Sequence, residues 1–370
     1  MLGGMLKVSF FGESHGKLVG ALLIGFPPGV RIEDDFIMRN LERRRGPEGL
    51  TTSRREPDRY EILSGVKDGT TTGAPILITI PNEDVDSSHY DEIRYVPRPS
   101  HADYPAFVRF SGFWDHRGGG IFSGRLTAAM VVAGSLASLY LSKLGIGIAA
   151  HVVRVGRIHV EEECSVEEIV RRTRGKEIEC IDDKAAEEMI LEILRAKEEG
   201  DSVGGVVEVV IEGVPPGIGE PPHDTLDGDL AKAMFVIPAV KGVEFGSGFK
   251  LAEMRGSEAN DQYVVKGGRV VTSTNNMGGI AGGMSTGAPI RLRLVVKPTP
   301  SIAKPQKSVD LRTMEEREIR LKGRFDPCVA IRVPPVAESM AALVVADHAL
   351  RWLGWERSTK LASSGEGLMK

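Results

Sequence analysis

Three short segments of this 370-residue chain return, in the same order, further along it. Leu22-Leu23-Ile24-Gly25-Phe26-Pro27-Pro28-Gly29 recurs as Val209-Val210-Ile211-Glu212-Gly213-Val214-Pro215-Pro216-Gly217, one residue longer. Thr72-Gly73-Ala74-Pro75-Ile76 recurs at Thr286-Gly287-Ala288-Pro289-Ile290, and Ala128-Ala129-Met130-Val131-Val132-Ala133 at Ala341-Ala342-Leu343-Val344-Val345-Ala346. One match would be chance. Three in order point to two related halves, approximately residues 12–145 and 200–354. The alternative is composition bias, because the chain holds 44 Gly and 21 Pro.

Each half then brings strands followed by an apolar helix. Leu18–Ile24, 74–80, 206–211 and Ile290–Val296 read as strands closed by Pro or Gly. Residues 32–45, 125–144, 184–199 and 335–353 read as helices, and 184–199 carries an apolar stripe on one face. The helices 125–144 and 335–353 are apolar nearly all round, as a middle layer requires. The simplest burial scheme packs them together with one sheet on each side. The expected fold is therefore an α+β sandwich in a single domain spanning residues 1–370.

Composition excludes several classes. A net charge of −4 disfavours a nucleic-acid-coating protein. Against that acidic background, residues 39–59 hold seven Arg and four acids, a patch suited to a small anion. Cys164, Cys180 and Cys328 are an odd, widely spaced set with no CxxC, which predicts a reducing cytoplasm and no zinc site. No charged-then-apolar leader is visible, so secretion is not expected. The longest charge-free apolar run, 126–142, is short for a membrane span and reads as a core helix.

The chemistry-bearing residues fall in loops. His15 stands in Gly12-Glu13-Ser14-His15-Gly16, a glycine-flanked turn, and its imidazole could hold or release a proton near neutrality. Arg43, Arg44 and Arg45 precede Gly46, Pro47 and Gly49, and Arg54 and Arg55 follow. They form either a solvated helix end or a guanidinium cluster for carboxylates and phosphates. His101 lies two residues before Asp103, which could orient it or close an Asx turn. Gly118-Gly119-Gly120 leads through Ser123 and Arg125 to a helix start, a candidate anion cradle. Asp326 sits beside Arg324, and Cys328 reads as packed. His89, His151, His159, His223 and His348 lack such company and read as structural. Neither a hydrolase nucleophile elbow nor a metal-ligand cluster is present.

Taken together, Gly12-Glu13-Ser14-His15-Gly16, Arg98-Pro99-x-His101-Ala102-Asp103, Gly118-Gly119-Gly120-x-x-Ser123-Gly124-Arg125 and Gly323-Arg324-x-Asp326-Pro327-Cys328 resemble the chorismate synthase family over nearly the full chain. The resemblance implies a β-α-β sandwich with central helices between two antiparallel sheets, assembled as a homotetramer. It implies an anti-1,4-elimination of phosphate and the C6 proton from 5-enolpyruvylshikimate-3-phosphate, using reduced FMN without net redox change. NADPH is a candidate reductant for that flavin. By resemblance, His15 would protonate the departing phosphate, and His101 would sit near the flavin N1/C2 carbonyl edge and set its charge state. Asp326 would relay a proton between flavin N5 and solvent. Arg44, with Arg43 and Arg45, would clamp substrate, with Ser14 and Arg125 nearby. FMN contacts would fall at Ile121, Phe122, Ser123, Pro238, Ala239, Gly282, Lys297, Pro298, Thr299, Pro300, Ser301 and Arg324.

Three departures from the family pattern stand out. Ile121-Phe122 occupies a position where relatives often read Arg-Ser, Pro238 stands where Asn is frequent, and Leu50 where a further Arg is common, so Arg54 or Arg55 would substitute. The competing reading is a non-catalytic flavin- or phosphometabolite-binding protein, which would be expected to have lost His15, His101 or Asp326; all three are present.

Overall fold

The computed structural model describes residues 2–88, 90–91 and 93–364; His89 is outside them. A four-stranded antiparallel sheet runs, edge to edge, Lys7–Gly12, Leu18–Ile24, Ile76–Pro81 and Glu61–Ser64. A second antiparallel sheet runs Val240–Phe245, Ile290–Val296, Gly205–Glu212, Gly147–Val155 and the short Ile158–His159. Read from Gly147–Val155, its first four strands follow the chain order of the first sheet. The strand Gly147–Val155 precedes residue 200, so this sheet starts earlier than the repeats alone suggest.

Between the sheets lie the helices Thr127–Ser142 and Pro334–Ser364, whose mutual contact is the most extensive between any two elements. The expected helix at 335–353 thus continues by about three turns. Thr127–Ser142 is buried from Thr127 through Ala137 without interruption, as a helix covered on every side must be. The stretch Gly124–Ser142 is long and apolar enough to cross a membrane, yet 83% of it is buried inside the protein. Small residues set the spacing of the pair: at Gly134 the backbone of Ser339 comes so close that a Cβ would stand 2.3 Å from its Cα.

Strand alternation supplies the other half of the core. Ile76, Ile78 and Ile80 point inward from one sheet, and Ile290, Leu292, Leu294 and Val296 from the other. Register matches inward residues across strands, with Ala21 opposite Ile78 and Leu292 opposite Val209. Architecturally the molecule is the α+β sandwich that burial of the two apolar helices demands.

Candidate active site

The first turns of both central helices open onto one cavity of about 980 Å³. Leu126, Thr127 and Met130 line it at the start of one helix, and Val333 and Val336 at the start of the other. Both positive helix ends therefore face the same space, an arrangement that favours an anion. The charged lining strengthens this bias: Arg44, Arg98, Arg324, Arg332, Lys232 and Lys297 stand against a single carboxylate, Asp326.

Much of the expected site is at this wall. His101, Ile121, Phe122, Ser123, Pro238, Ala239, Lys297, Thr299, Pro300, Ser301, Arg324 and Asp326 all line it. Asp326 accepts from the Thr52 backbone at 3.0 Å and from Arg332 Nη1 at 2.5 Å. Arg332 Nε in turn donates to the carbonyl of Arg44 at 3.0 Å, which ties the Asp326 loop to the end of helix Asp34–Arg45. Arg324 is held by Asp84 at 2.7 and 2.9 Å, and its hydrogen bond is the main reason the Asp84 carboxyl lies below its usual range.

His15 stands one layer behind Gly118, which does line the cavity. Its Nδ1 lies 2.8 Å from Ser87 Oγ, and its ring meets Tyr90 edge-on with centroids 5.2 Å apart. Burial, followed by the nearby guanidiniums of Arg54 and Arg117, draws its pKa down to about 4. The glycine run joins the two histidines. Gly118, Gly119 and Gly120 adopt φ of 60°, 93° and 53°, which lets backbone pass where side chains could not. A Cβ at Gly118 would meet the His15 ring at 2.3 Å, and one at Gly119 would touch the His101 ring at 3.4 Å. On the other side of this run, the His101 Nδ1 lies 2.7 Å from Asp103 Oδ1. Burial is the first cause of the lowered His101 pKa, partly offset by the Asp103 hydrogen bond.

The arginine group is the main correction. Arg43, Arg44 and Arg45 form the last turn of the helix Asp34–Arg45, not a loop, and successive residues there point about 100° apart. Arg43 is committed elsewhere: its guanidinium bonds Glu179, Glu338 and Asn40, at 2.5 to 2.9 Å. With Arg174, which bonds the same two glutamates, it locks this helix to Pro334–Ser364. Arg44 alone of the three reaches the cavity, bonded to fully buried Asp58 at 2.7 Å. Burial lowers its pKa to about 10.

Arg45 is only within 3.8–4.0 Å of Glu42 and Asp58, and does not line the cavity. Arg125 donates to Asp58, Asn82 and the Pro81 carbonyl, so its guanidinium serves the scaffold beneath the site. Arg54 bonds Ser14 and Glu56, placing Ser14 and holding positive charge near His15. Arg55 is exposed and Leu50 is buried in the core, so neither supplies charge to the wall. Gly282, in the turn between Ile280–Ala281 and Met284–Ser285, and Pro298 are also absent from the wall.

A family model described as chorismate synthase matches residues 6–350. The chorismate synthase of Pyrococcus abyssi is 52% identical over 356 residues, which is 96% of this chain and 99% of that one. That of Thermococcus kodakarensis is equally similar over the same shares, and that of Methanosarcina barkeri is 49% identical over 95% of this chain and 96% of its own. A crystal structure of chorismate synthase superposes with a TM-score of 0.75 at 31% identity, covering 95% and 94% of the two chains.

The chain belongs to the chorismate synthase family. Its activity is that of a lyase forming chorismate from 5-enolpyruvylshikimate-3-phosphate by loss of phosphate and a proton. A substrate with two carboxylates and a phosphate accounts for the six cations and two helix N-termini at the wall. Chorismate synthases depend on a flavin, and the wall suits one: Ile121 and Phe122 expose apolar surface beside it. Thr299 Oγ1, also at the wall, is buried without a hydrogen-bond partner among the described residues.

Sequence reasoning missed Arg332, Lys232 and Tyr90 as site residues. Arg332 was legible only as the cation six residues past Asp326; nothing in the local sequence marks the other two. His151 and His348 are wholly buried beside Glu208 and Asp229, as structural histidines are.

Proposed function

We propose that the flavin is reduced FMN and that His15, His101 and Asp326 move protons for the elimination. The observation that carries this reading is the cavity itself, where His101 and Asp326 share a cationic wall with the first turns of two helices. The chemistry reduced FMN would supply there is electron density for breaking the C–O bond to phosphate, without net redox change. Ile121, Phe122, Pro238 and Thr299 would hold it, and Lys297 and Arg324 would meet its polar groups. Arg44, Arg98 and Arg332 would desolvate and orient the substrate carboxylates.

His15 is neutral before substrate arrives, because burial and arginines disfavour its cation. A phosphate brought among Arg54, Arg117 and His15 supplies the negative charge that lets the imidazole take a proton and deliver it to the leaving group. His101 would set the charge of the flavin, and Asp326, steadied by Arg332 and Thr52, would pass the proton to solvent.

The same reading places the enzyme in the cytoplasm, in line with three buried, unpaired cysteines, and as a homotetramer with two halves of common origin. NADPH is proposed as the reductant, delivered directly or through a separate reductase. An anaerobic assay with dithionite-reduced FMN, following chorismate formation, tests the activity. His15→Ala and His101→Ala should slow turnover sharply with FMN still bound, and Asp326→Ala should bind both ligands yet stall. A variant turning over at the parental rate removes the role given to that residue.

A further inference from the structure

The Asp103 carboxylate is one end of a half-buried arrangement that the proton-transfer roles above do not use. Its Oδ2 accepts from the Arg98 backbone at 3.0 Å and from Arg98 Nε at 2.7 Å. Its Oδ1 accepts from Arg98 Nη2 at 2.8 Å and lies 2.7 Å from His101 Nδ1. Arg98 also sits over the Tyr90 ring at 5.7 Å, and Tyr90 is the ring that meets His15. Tyr90, Arg98 and His101 line the cavity; Asp103 stands behind them.

The contacts of His101 Nδ1 select one tautomer. Arg98 Nη2, which can only donate, stands 3.2 Å from it, whereas a carboxylate oxygen, which can only accept while ionised, stands 2.7 Å away. Two lone pairs at 2.7 Å would repel, and Arg98 Nη2 already has a nearer acceptor in Oδ1, at 2.8 Å. Nδ1 therefore carries the proton. His101 Nε2 makes no hydrogen bond among the described residues, and His101 lines the cavity.

We propose that Asp103 is a positioning residue that fixes His101 as the Nδ1–H tautomer, so that Nε2 is the only atom at which this imidazole exchanges a proton. The inference deepens the reading of His101 given above and rests on it for its catalytic consequence, though not for the tautomer. In Asp103→Asn, an amide oriented with its NH2 toward Arg98 Nε would oppose two donors that cannot change role. His101 Nδ1 can change role. Turned the other way, the NH2 opposes only one fixed donor, Arg98 Nη2, so it faces Nδ1 and the ring proton moves to Nε2. This is the logic by which a buried carboxylate orients a catalytic histidine in serine proteases.

The test uses full-length protein labelled with 15N-histidine, with the His101 resonances identified by their loss in His101→Gln. Ligand-free parental protein above the His101 titration should show a protonated Nδ1 and a bare Nε2. Asp103→Asn should reverse the two and shift the titration to lower pH, because the carboxylate that favours the imidazolium is gone. Asp103→Glu should keep the parental tautomer. In the anaerobic assay, Asp103→Asn should lose about 100-fold in kcat, as removal of a general acid–base group does. A protonated Nε2 in the parental protein, or an unchanged tautomer in a folded Asp103→Asn, overturns the proposal. Should the Asn variant fail to fold, the parental and Asp103→Glu spectra decide it. Loss of chorismate formation in the parental enzyme would sink the catalytic assignment of His101 while leaving the tautomer measurement to be judged on its own.

Discussion

Gly118 lies so close to His15 that a Cβ on it would stand 2.4 Å from Nε2. At φ 60° an alanine is also strained, by about 1 kcal/mol. Gly118→Ala should therefore push the His15 ring off Ser87 and cut kcat by roughly 10- to 100-fold, while thermal unfolding moves by only a few degrees. Gly354→Ala, with no atom within 4 Å of its added Cβ and no place at the cavity wall, is the control and should leave kcat near the parental value.

Arg43 belongs to the scaffold, and its removal should say so. Arg43→Met leaves Glu179 and Glu338 with half their cations in a setting where both are nearly buried. Breaking such a network costs about 3–5 kcal/mol. Urea unfolding should report that loss, whereas KM for the substrate should stay within about twofold in the folded protein. Arg44→Met should cost stability through buried Asp58 but, unlike Arg43→Met, also raise KM, because Arg44 is the member of the triplet at the cavity wall. A raised KM in Arg43→Met would restore it to the substrate site.

How far the sequence could show this follows from where the information lies. The two central helices were legible because burial on all sides demands an unbroken apolar run, and the inward isoleucines of 76–80 because a strand repeats every two residues. Pairs within a few residues, such as His101 with Asp103, were legible too. The arginine triplet was not. Its three side chains leave one helical turn in different directions, and the acids that decide their fate, Glu179 and Glu338, lie 136 and 295 residues from Arg43. The same distance hid Arg332 as partner of Arg44, and the strand Gly147–Val155 of the second sheet lay outside the repeat.

Acid should weaken the fold through His15. Its folded pKa of about 4 is below the value near 6.5 for an unfolded histidine, and burial is the leading cause. Above pH 6.5 both states are neutral and the residue has no pH-dependent effect. Between about 6.5 and 4 the unfolded chain binds a proton that the native state refuses, so stability falls as pH falls. The loss between pH 7 and 4.5 should be roughly 2 kcal/mol from this residue. Urea unfolding of the parental protein and His15→Gln at both pH values checks it: the variant should lose less on acidification by about that amount. Equal losses would mean that His15 is not held neutral by the fold.

Gly134→Ala reverses the usual sign of its substitution. In an exposed helix, replacing Gly by Ala stabilises by about 0.5–1 kcal/mol, because alanine has less backbone freedom to lose. Gly134 lies in the middle of Thr127–Ser142, where Ser339 of the facing helix presses against it. An added Cβ would come within 2.2 Å of the Ser339 Cβ and 2.4 Å of its carbonyl oxygen, and neither belongs to a flexible chain end that could swing away. The helices must part, and overpacking of this kind costs about 1–3 kcal/mol. The first turns of both helices line the cavity, so the same displacement should disturb the site. Urea unfolding should show a net destabilisation, and the anaerobic assay a lower kcat in the folded variant. A more stable Gly134→Ala would mean that the two helices are not packed as closely as this crossing requires.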